Sequence, residues 1–224
     1  MSNRALIAEF IGTFAYVAAI CGTALLGGQA SDGGLHVALA AGFTFTATCF
    51  ALGGVSGCHF NPAITLGLVA AGRFETRAAI PYVIAQVLGG LVAAGCFALM
   101  LSAVPQQVAA PIASIANRFG ADGMFPFAAV LIAECIAALL ILLLFVGATS
   151  SGVPTGFAPI GLGFLIAALH LVLAPMSNAA LNPARATAIA VFADQQALLQ
   201  LWAFWVAPIV GGVAGGLIGR WIND

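Results

Sequence analysis

Two copies of one tripeptide stand out chemically, Asn61-Pro62-Ala63 and Asn182-Pro183-Ala184. Asn is a favoured helix N-cap because its side-chain oxygen accepts from a free backbone N–H. Pro suits the first helical position, where its missing N–H costs nothing. One copy alone is only a good helix start. Here each copy opens an apolar piece, about 61–71 and 182–192, too short to span a bilayer, which takes roughly 20 residues. Such pieces read as re-entrant half-helices. With their N-termini face to face near the midplane, the helix dipoles make that point electropositive. Each Asn uses its oxygen locally and keeps its NH2 to donate into a lumen. A water held there cannot pass a proton along an unbroken chain, and cations are repelled, so small neutral molecules pass.

The residues leading into these pieces are non-helical at membrane depth. Such backbone survives where it lines a water-filled path. The carbonyls of Gly57, Cys58, His59 and Phe60, and of Ser177, Asn178, Ala179 and Ala180, are therefore a candidate acceptor rail. Arg185 follows the second tripeptide directly; a charge in that place faces a lumen or a partner. His170 and His59 read, from position alone, either as pore groups or as satisfied buried residues, and His36 as interfacial. Glu9 and Glu134 are the carboxylates inside apolar segments. They suit a proton relay or a brace for the non-helical loops. Their equivalent places favour the brace, because each loop has the same backbone N–H groups to satisfy.

The elements that must position these groups follow from composition. The chain is 62% hydrophobic and only 6% charged, whereas soluble domains carry about a quarter charged residues. Lipid is therefore the expected solvent. Six apolar stretches are long enough to span, at about 5–26, 35–54, 80–103, 126–148, 157–174 and 201–221. The first is too long for a signal-peptide core and contains Glu9, so it reads as a retained helix. Ala8-Glu9 is matched by Ala133-Glu134, and the Glu-to-Asn separation is 52 residues in one half and 48 in the other. Each half thus holds three spans and one half-helix. Three is odd, so the halves are inverted relative to each other, with the site expected where they meet. The expected fold is one all-α transmembrane domain, 1–224. Its repeats are about 1–103 and 126–224, joined by a long extracellular loop 104–125 that holds Pro105, Pro111, Arg118 and Asp122.

All six cations are arginines. Arg4, Arg73, Arg77 and Arg220 fall on one side of this scheme, and Arg118 and Arg185 on the other. The positive-inside rule then puts both termini in the cytoplasm. No basic run points to nucleic acid. The five cysteines are scattered in apolar segments without metal-site spacing. No metal, cofactor or covalent chemistry is implied.

The stretches Gly54-Val55-Ser56-Gly57-Cys58-His59-Phe60-Asn61-Pro62-Ala63 and Leu181-Asn182-Pro183-Ala184-Arg185 resemble the signatures of the aquaporin (major intrinsic protein) family, its bacterial members in particular. The resemblance covers essentially the whole chain. It implies six membrane helices with two half-helices, a homotetramer with one pore per subunit, and a bacterial cytoplasmic-membrane location. It makes Glu9 and Glu134 loop braces. It places Arg185, His170 and Ala179 in a narrow extracellular selectivity filter. The fourth filter position lies 20 residues before Asn61 and is Ala41. Water-specific members usually carry Phe there and glycerol facilitators Trp. Phe43 lies two residues on, about 200° around a helix, and does not substitute directly. Losing that ring is expected to widen the filter. Ala186 and Ala190 stand where glycerol facilitators carry Asp and a basic residue, and Phe204-Trp205 fits the water-channel pattern. The implied function is passive water transport without protons or ions. The alternative is passage of glycerol, urea, ammonia or hydrogen peroxide as well.

Overall fold

The structure, a computed structural model, describes residues 2–27, 34–105, 110–123, 125–154 and 156–223. The first half contains α1 (Asn3–Leu26), α2 (Leu35–Ser56), α3 (Pro62–Ala70) and α4 (Thr76–Ser102). The second contains α5 (Phe127–Ala148), α6 (Ala158–Ser177), α7 (Pro183–Phe192), a short α8 (Gln195–Gln200) and α9 (Ala203–Asn223). Six helical stretches are long and apolar enough to cross a membrane: α1, α2, α4, α5, α6 and the stretch from α8 through α9. The short helices α3 and α7 have 9 and 10 residues, or about 14–15 Å at 1.5 Å per residue, half of a ~30 Å hydrocarbon core. The third span starts at Thr76 rather than near 80. Arg77, Ala78 and Ala79 favour helix but add little to an apolar count.

Helices of each half cross closely at glycine. A Cβ on Gly89 of α4 would lie 2.2 Å from the Phe10 carbonyl of α1. A Cβ on Gly211 of α9 would lie 1.9 Å from the Cys135 carbonyl of α5. These crossings are repeat-related, and each carbonyl belongs to the residue after a buried glutamate. The glycines thus set how deeply Glu9 and Glu134 sit. The halves meet at α2 and α6, where a Cβ on Gly42 would lie 2.4 Å from the Gly163 carbonyl. Small residues allow this approach in lipid, where packing rather than hydrophobicity drives association.

The linker between the halves is more than an exposed loop. Residues 106–109, 124 and the Asp122 side chain lie outside the described structure. The described part forms 3-10 turns at Ile112–Ile115 and Gly120–Asp122, and Ile115, Ala116 and Asn117 are buried. Arg118 pairs with Asp194, whose carboxylate also caps α8 by accepting from Ala197 N–H at 3.0 Å. The Arg118 bond and that cap hold the Asp194 carboxyl below the usual carboxylate range. The tie is therefore present above the ordinary carboxylate pKa and is lost as pH falls through the lowered one. At one end of the bundle, Arg220 lies against Gly72, beside Arg73.

Substituting Gly211→Leu should push α9 from α5 and abolish recovery of monodisperse protein in size-exclusion chromatography. Gly54→Leu, where a Cβ meets no atom within 4 Å, should be recovered normally. Equal recovery of the two variants would contradict the close-crossing argument.

Candidate functional site

The site is built from two non-helical loops, 57–61 and 178–182, held in matching conformations. Gly57 (φ 85°), Cys58 (50°) and Phe60 (51°) are left-handed in one loop. Asn178 (58°), Ala179 (48°) and Leu181 (53°) are left-handed in the other. Counted back from each Asn, these occupy the same three positions. Left-handed backbone costs roughly 1–2 kcal/mol for residues other than glycine, so the loops need outside support.

Two buried carboxylates supply it. Glu9 Oε1 accepts from His59 N–H at 3.0 Å and Oε2 from Phe60 N–H at 2.7 Å. Glu134 Oε1 accepts from Ala180 N–H at 2.9 Å and Oε2 from Leu181 N–H at 2.8 Å. Further donors complete each carboxylate. Gln86 Nε2 donates to Glu9 at 2.7 Å and Ser177 Oγ to Glu134 at 2.6 Å. Both glutamates are fully buried, with every bond directed at a loop or its immediate support.

The half-helix starts are reciprocal. Asn61 Oδ1 accepts from Ala63 N–H at 2.8 Å, and Asn182 Oδ1 from Ala184 N–H at 2.9 Å. The amide nitrogens cross between the repeats. Asn61 Nδ2 donates to the Leu181 carbonyl at 2.9 Å, and Asn182 Nδ2 to the Phe60 carbonyl at 2.8 Å. The expectation of an uncommitted NH2 is therefore half met. One hydrogen of each amide ties the two halves together, and the second carries no protein partner among the described residues.

The candidate carbonyls divide. No described donor meets the carbonyls of Gly57, Cys58, His59, Asn178 or Ala179. The Phe60 carbonyl is taken by Asn182, that of Ser177 accepts from Asn117 Nδ2 at 2.7 Å, and that of Ala180 accepts from Asn182 N–H. Ser177 is not in the loop but ends α6, because the residue that stops the helix is the left-handed C-cap Asn178 (φ 58°), one position later. His59 is buried with its Nδ1 3.1 Å from Thr65 Oγ1, and its ring packs against Phe74 and Tyr82 with centroids 4.6 and 5.1 Å away.

At the other end of the loops, Arg185 extends from the first turn of α7 and is only 2% exposed. Its guanidinium donates to Asn117 Oδ1 and, at 3.1 Å, to the Ile115 carbonyl. Its Nε has no partner among the described residues. Asn117 escaped sequence reasoning, since one Asn in a connecting loop carries no pattern. His170 Nδ1 lies 2.9 Å from the Ile166 carbonyl. A carbonyl only accepts, so Nδ1 carries the proton, and in neutral His170 the Nε2 is an acceptor. A cavity of about 130 Å³ is lined by His170, Ala179, Arg185, Ile20, Val37 and Ile115, among others. The structure thus brings three of the four expected filter residues to one cavity. Ala41 does not line it and is 0% exposed, and Phe43 is 59% exposed on the outer face. Tyr16 of α1 lies instead beside His170, with its hydroxyl 3.5 Å from Nε2.

The family description Major intrinsic protein matches residues 1–219. The chain belongs to the major intrinsic protein family. It is 45% identical over 230 aligned residues to Aquaporin Z of Brucella melitensis biotype 1, covering 98% of this chain and all of the relative. It is 40% identical to Aquaporin Z of Bradyrhizobium diazoefficiens, covering 100% of this chain and 95% of that one. It is 41% identical to Aquaporin Z of Rhodopseudomonas palustris, covering 98% and 93%. The aquaglyceroporin from Plasmodium falciparum superposes with a TM-score of 0.81 over 98% of this chain and 94% of its own, at 19% identity, a likeness of fold. Major intrinsic proteins are membrane channels, not enzymes, and the family implies passage of water or small solutes through a multi-pass membrane protein. Among the described residues no group of three or more His, Cys, Asp or Glu could hold a metal.

Glu134→Gln would turn an NH2 toward one of two backbone N–H groups, leaving a buried donor unpaired at a cost of about 1–3 kcal/mol. Thermal unfolding in detergent should start lower, and channel flux should fall. An unchanged unfolding curve together with unchanged flux would contradict the bracing role.

Proposed function

We propose that the chain is a passive channel for osmotically driven water flow that excludes protons and other ions. One observation carries this reading: the facing half-helix starts whose Asn61 and Asn182 amides each keep one N–H uncommitted. Water meeting those two donors and the positive dipole ends turns its oxygen toward them, which breaks the donor–acceptor chain a proton needs. The unbonded carbonyls of Gly57, Cys58 and His59 on one side, and of Asn178 and Ala179 on the other, form the acceptor rails. Arg185 and His170 act at the filter. The guanidinium rejects cations and offers its free Nε–H, while His170 Nε2 accepts. No metal, cofactor or covalent step takes part.

Glu9 and Glu134 are braces in this reading, since their oxygens are engaged by the loops rather than facing each other along a relay. We further propose a homotetramer in the cytoplasmic membrane of a bacterium, with both termini inside. The clustering of Arg220 with the Gly72–Arg73 turn supports that orientation. A second reading, facilitation of glycerol, urea, ammonia or hydrogen peroxide, is favoured by one residue, Ala41, which brings no ring to the filter from α2.

Stopped-flow light scattering on proteoliposomes tests the choice. The parent should shrink in an impermeant osmolyte several-fold faster than empty vesicles and should reswell slowly in glycerol or urea. Arg185→Val should admit urea and glycerol faster. Rapid reswelling of the parent would favour the facilitator reading, and shrinkage no faster than empty vesicles would contradict both.

A further inference from the structure

The ring missing at position 41 has a counterpart in the structure. Tyr16 sits on the buried stripe of α1 that also carries Glu9, Thr13, Val17 and Ile20. Its ring stands edge-on to Phe45 of α2 and to His170 of α6, with centroids 6.3 Å away in each case. Phe45 is one helical turn beyond Ala41 on the same face. Tyr16 therefore projects from a neighbouring helix into the layer between the Ala41–Phe45 stripe and the filter histidine. It is 3% exposed and Ala41 0%, so the volume next to the Ala41 methyl is filled rather than open. The only polar atom of the side chain faces His170 Nε2 at 3.5 Å. The Nδ1–Ile166 bond sets the orientation of the His170 ring and leaves Nε2 an acceptor, and the Tyr16 ring packed edge-on behind it holds it there. Tyr16 and the Arg185 guanidinium also lie within electrostatic range of each other.

We infer that Tyr16 is a specificity-determining residue of this channel: it does not itself line the cavity but backs His170 with a ring from α1, in the layer where Ala41 brings none from α2. This rests on the channel reading above. It makes the small residue at 41 and the tyrosine at 16 one unit: the ring has moved between adjacent helices while the constriction beside His170 and Arg185 is kept. A ring at both places would overfill the layer, and a ring at neither would open it. The filter then remains closed to glycerol and urea despite Ala41, because the ring behind His170 keeps that side chain in place.

The test is a double-mutant cycle in proteoliposomes, reading water, glycerol and urea permeability for the parent, Tyr16→Ala, Tyr16→Phe, Ala41→Phe and the double variant Tyr16→Ala with Ala41→Phe. Tyr16→Ala should raise glycerol and urea permeability several-fold while water flow persists. Tyr16→Phe, which keeps the ring, should still exclude both. Ala41→Phe alone should reduce water flow by crowding Tyr16, yet in the Tyr16→Ala background it should restore exclusion of glycerol and urea. If Tyr16→Ala is not recovered folded, Tyr16→Leu removes the ring while keeping apolar bulk and should show the same gain in solute flow. Folded ring-free variants that exclude glycerol and urea as the parent does would overturn the role of Tyr16. A parent that passes no water would instead contradict the channel reading.

Discussion

The structure depends on two buried carboxylates, each accepting two consecutive backbone N–H groups from a loop that would not hold its shape alone. Outside water, a loop with left-handed residues and unpaired amides has no solvent to satisfy it. Charge-assisted bonds of about 1.5–3 kcal/mol each match the conformational cost of the left-handed residues. The amides of residues 59–60 and 180–181 are turned into the protein toward Glu9 and Glu134, while the carbonyls of Gly57, Cys58, His59, Asn178 and Ala179 meet no described donor. The proposed rail of acceptors depends on the loop shape that the brace holds. So does the placement of the half-helices, because the asparagines that begin them follow the braced pairs directly. The glycine crossings at Gly89 and Gly211 then act on function from a distance, by fixing the depth of each glutamate.

The Asn61 and Asn182 amides join this scheme to the pseudo-symmetry. Each donates to a carbonyl in the opposite loop, so neither half-helix start can shift without the other. In the proposed function, selectivity against charge is thereby tied in part to the contact between repeats, while the proposed outer filter rests on Arg185 and His170 with Tyr16 behind them. The inner device depends on backbone geometry shared by both halves. The outer one depends on side chains that are unequal between them, with a guanidinium after one Asn-Pro-Ala and Ile64 after the other.

Much of this was legible in the sequence because it is carried by local or repeated signals. The paired Asn-Pro-Ala starts, the short length of the pieces they open, the repeat-related Glu9 and Glu134 and the six apolar spans each follow from residue type and spacing. What stayed hidden depends on contacts between residues far apart in the chain. The cross-repeat bonds of Asn61 and Asn182 join positions more than a hundred residues apart. The hold of Asn117 on Arg185 arises in a linker without periodicity. Ser177 looked like a loop residue, because the exact residue at which a helix turns left-handed, here Asn178, carries no reliable local signal. The placement of Tyr16 beside His170 was the largest gap. Its only trace is a tyrosine two helical turns after Glu9 on the same face, a spacing that reads equally as ordinary packing.

The central claim, that water passes while protons do not, is tested most directly by measuring both fluxes on the same proteoliposomes. Osmotic shrinkage is followed by light scattering over a range of temperatures, and internal pH by an entrapped dye after an external pH step. A passive pore with opposed Asn61 and Asn182 donors predicts fast shrinkage with a low activation barrier, and a pH trace that overlays that of empty vesicles. A proton leak that grows with protein content, or solute uptake driven by the pH step, would contradict it.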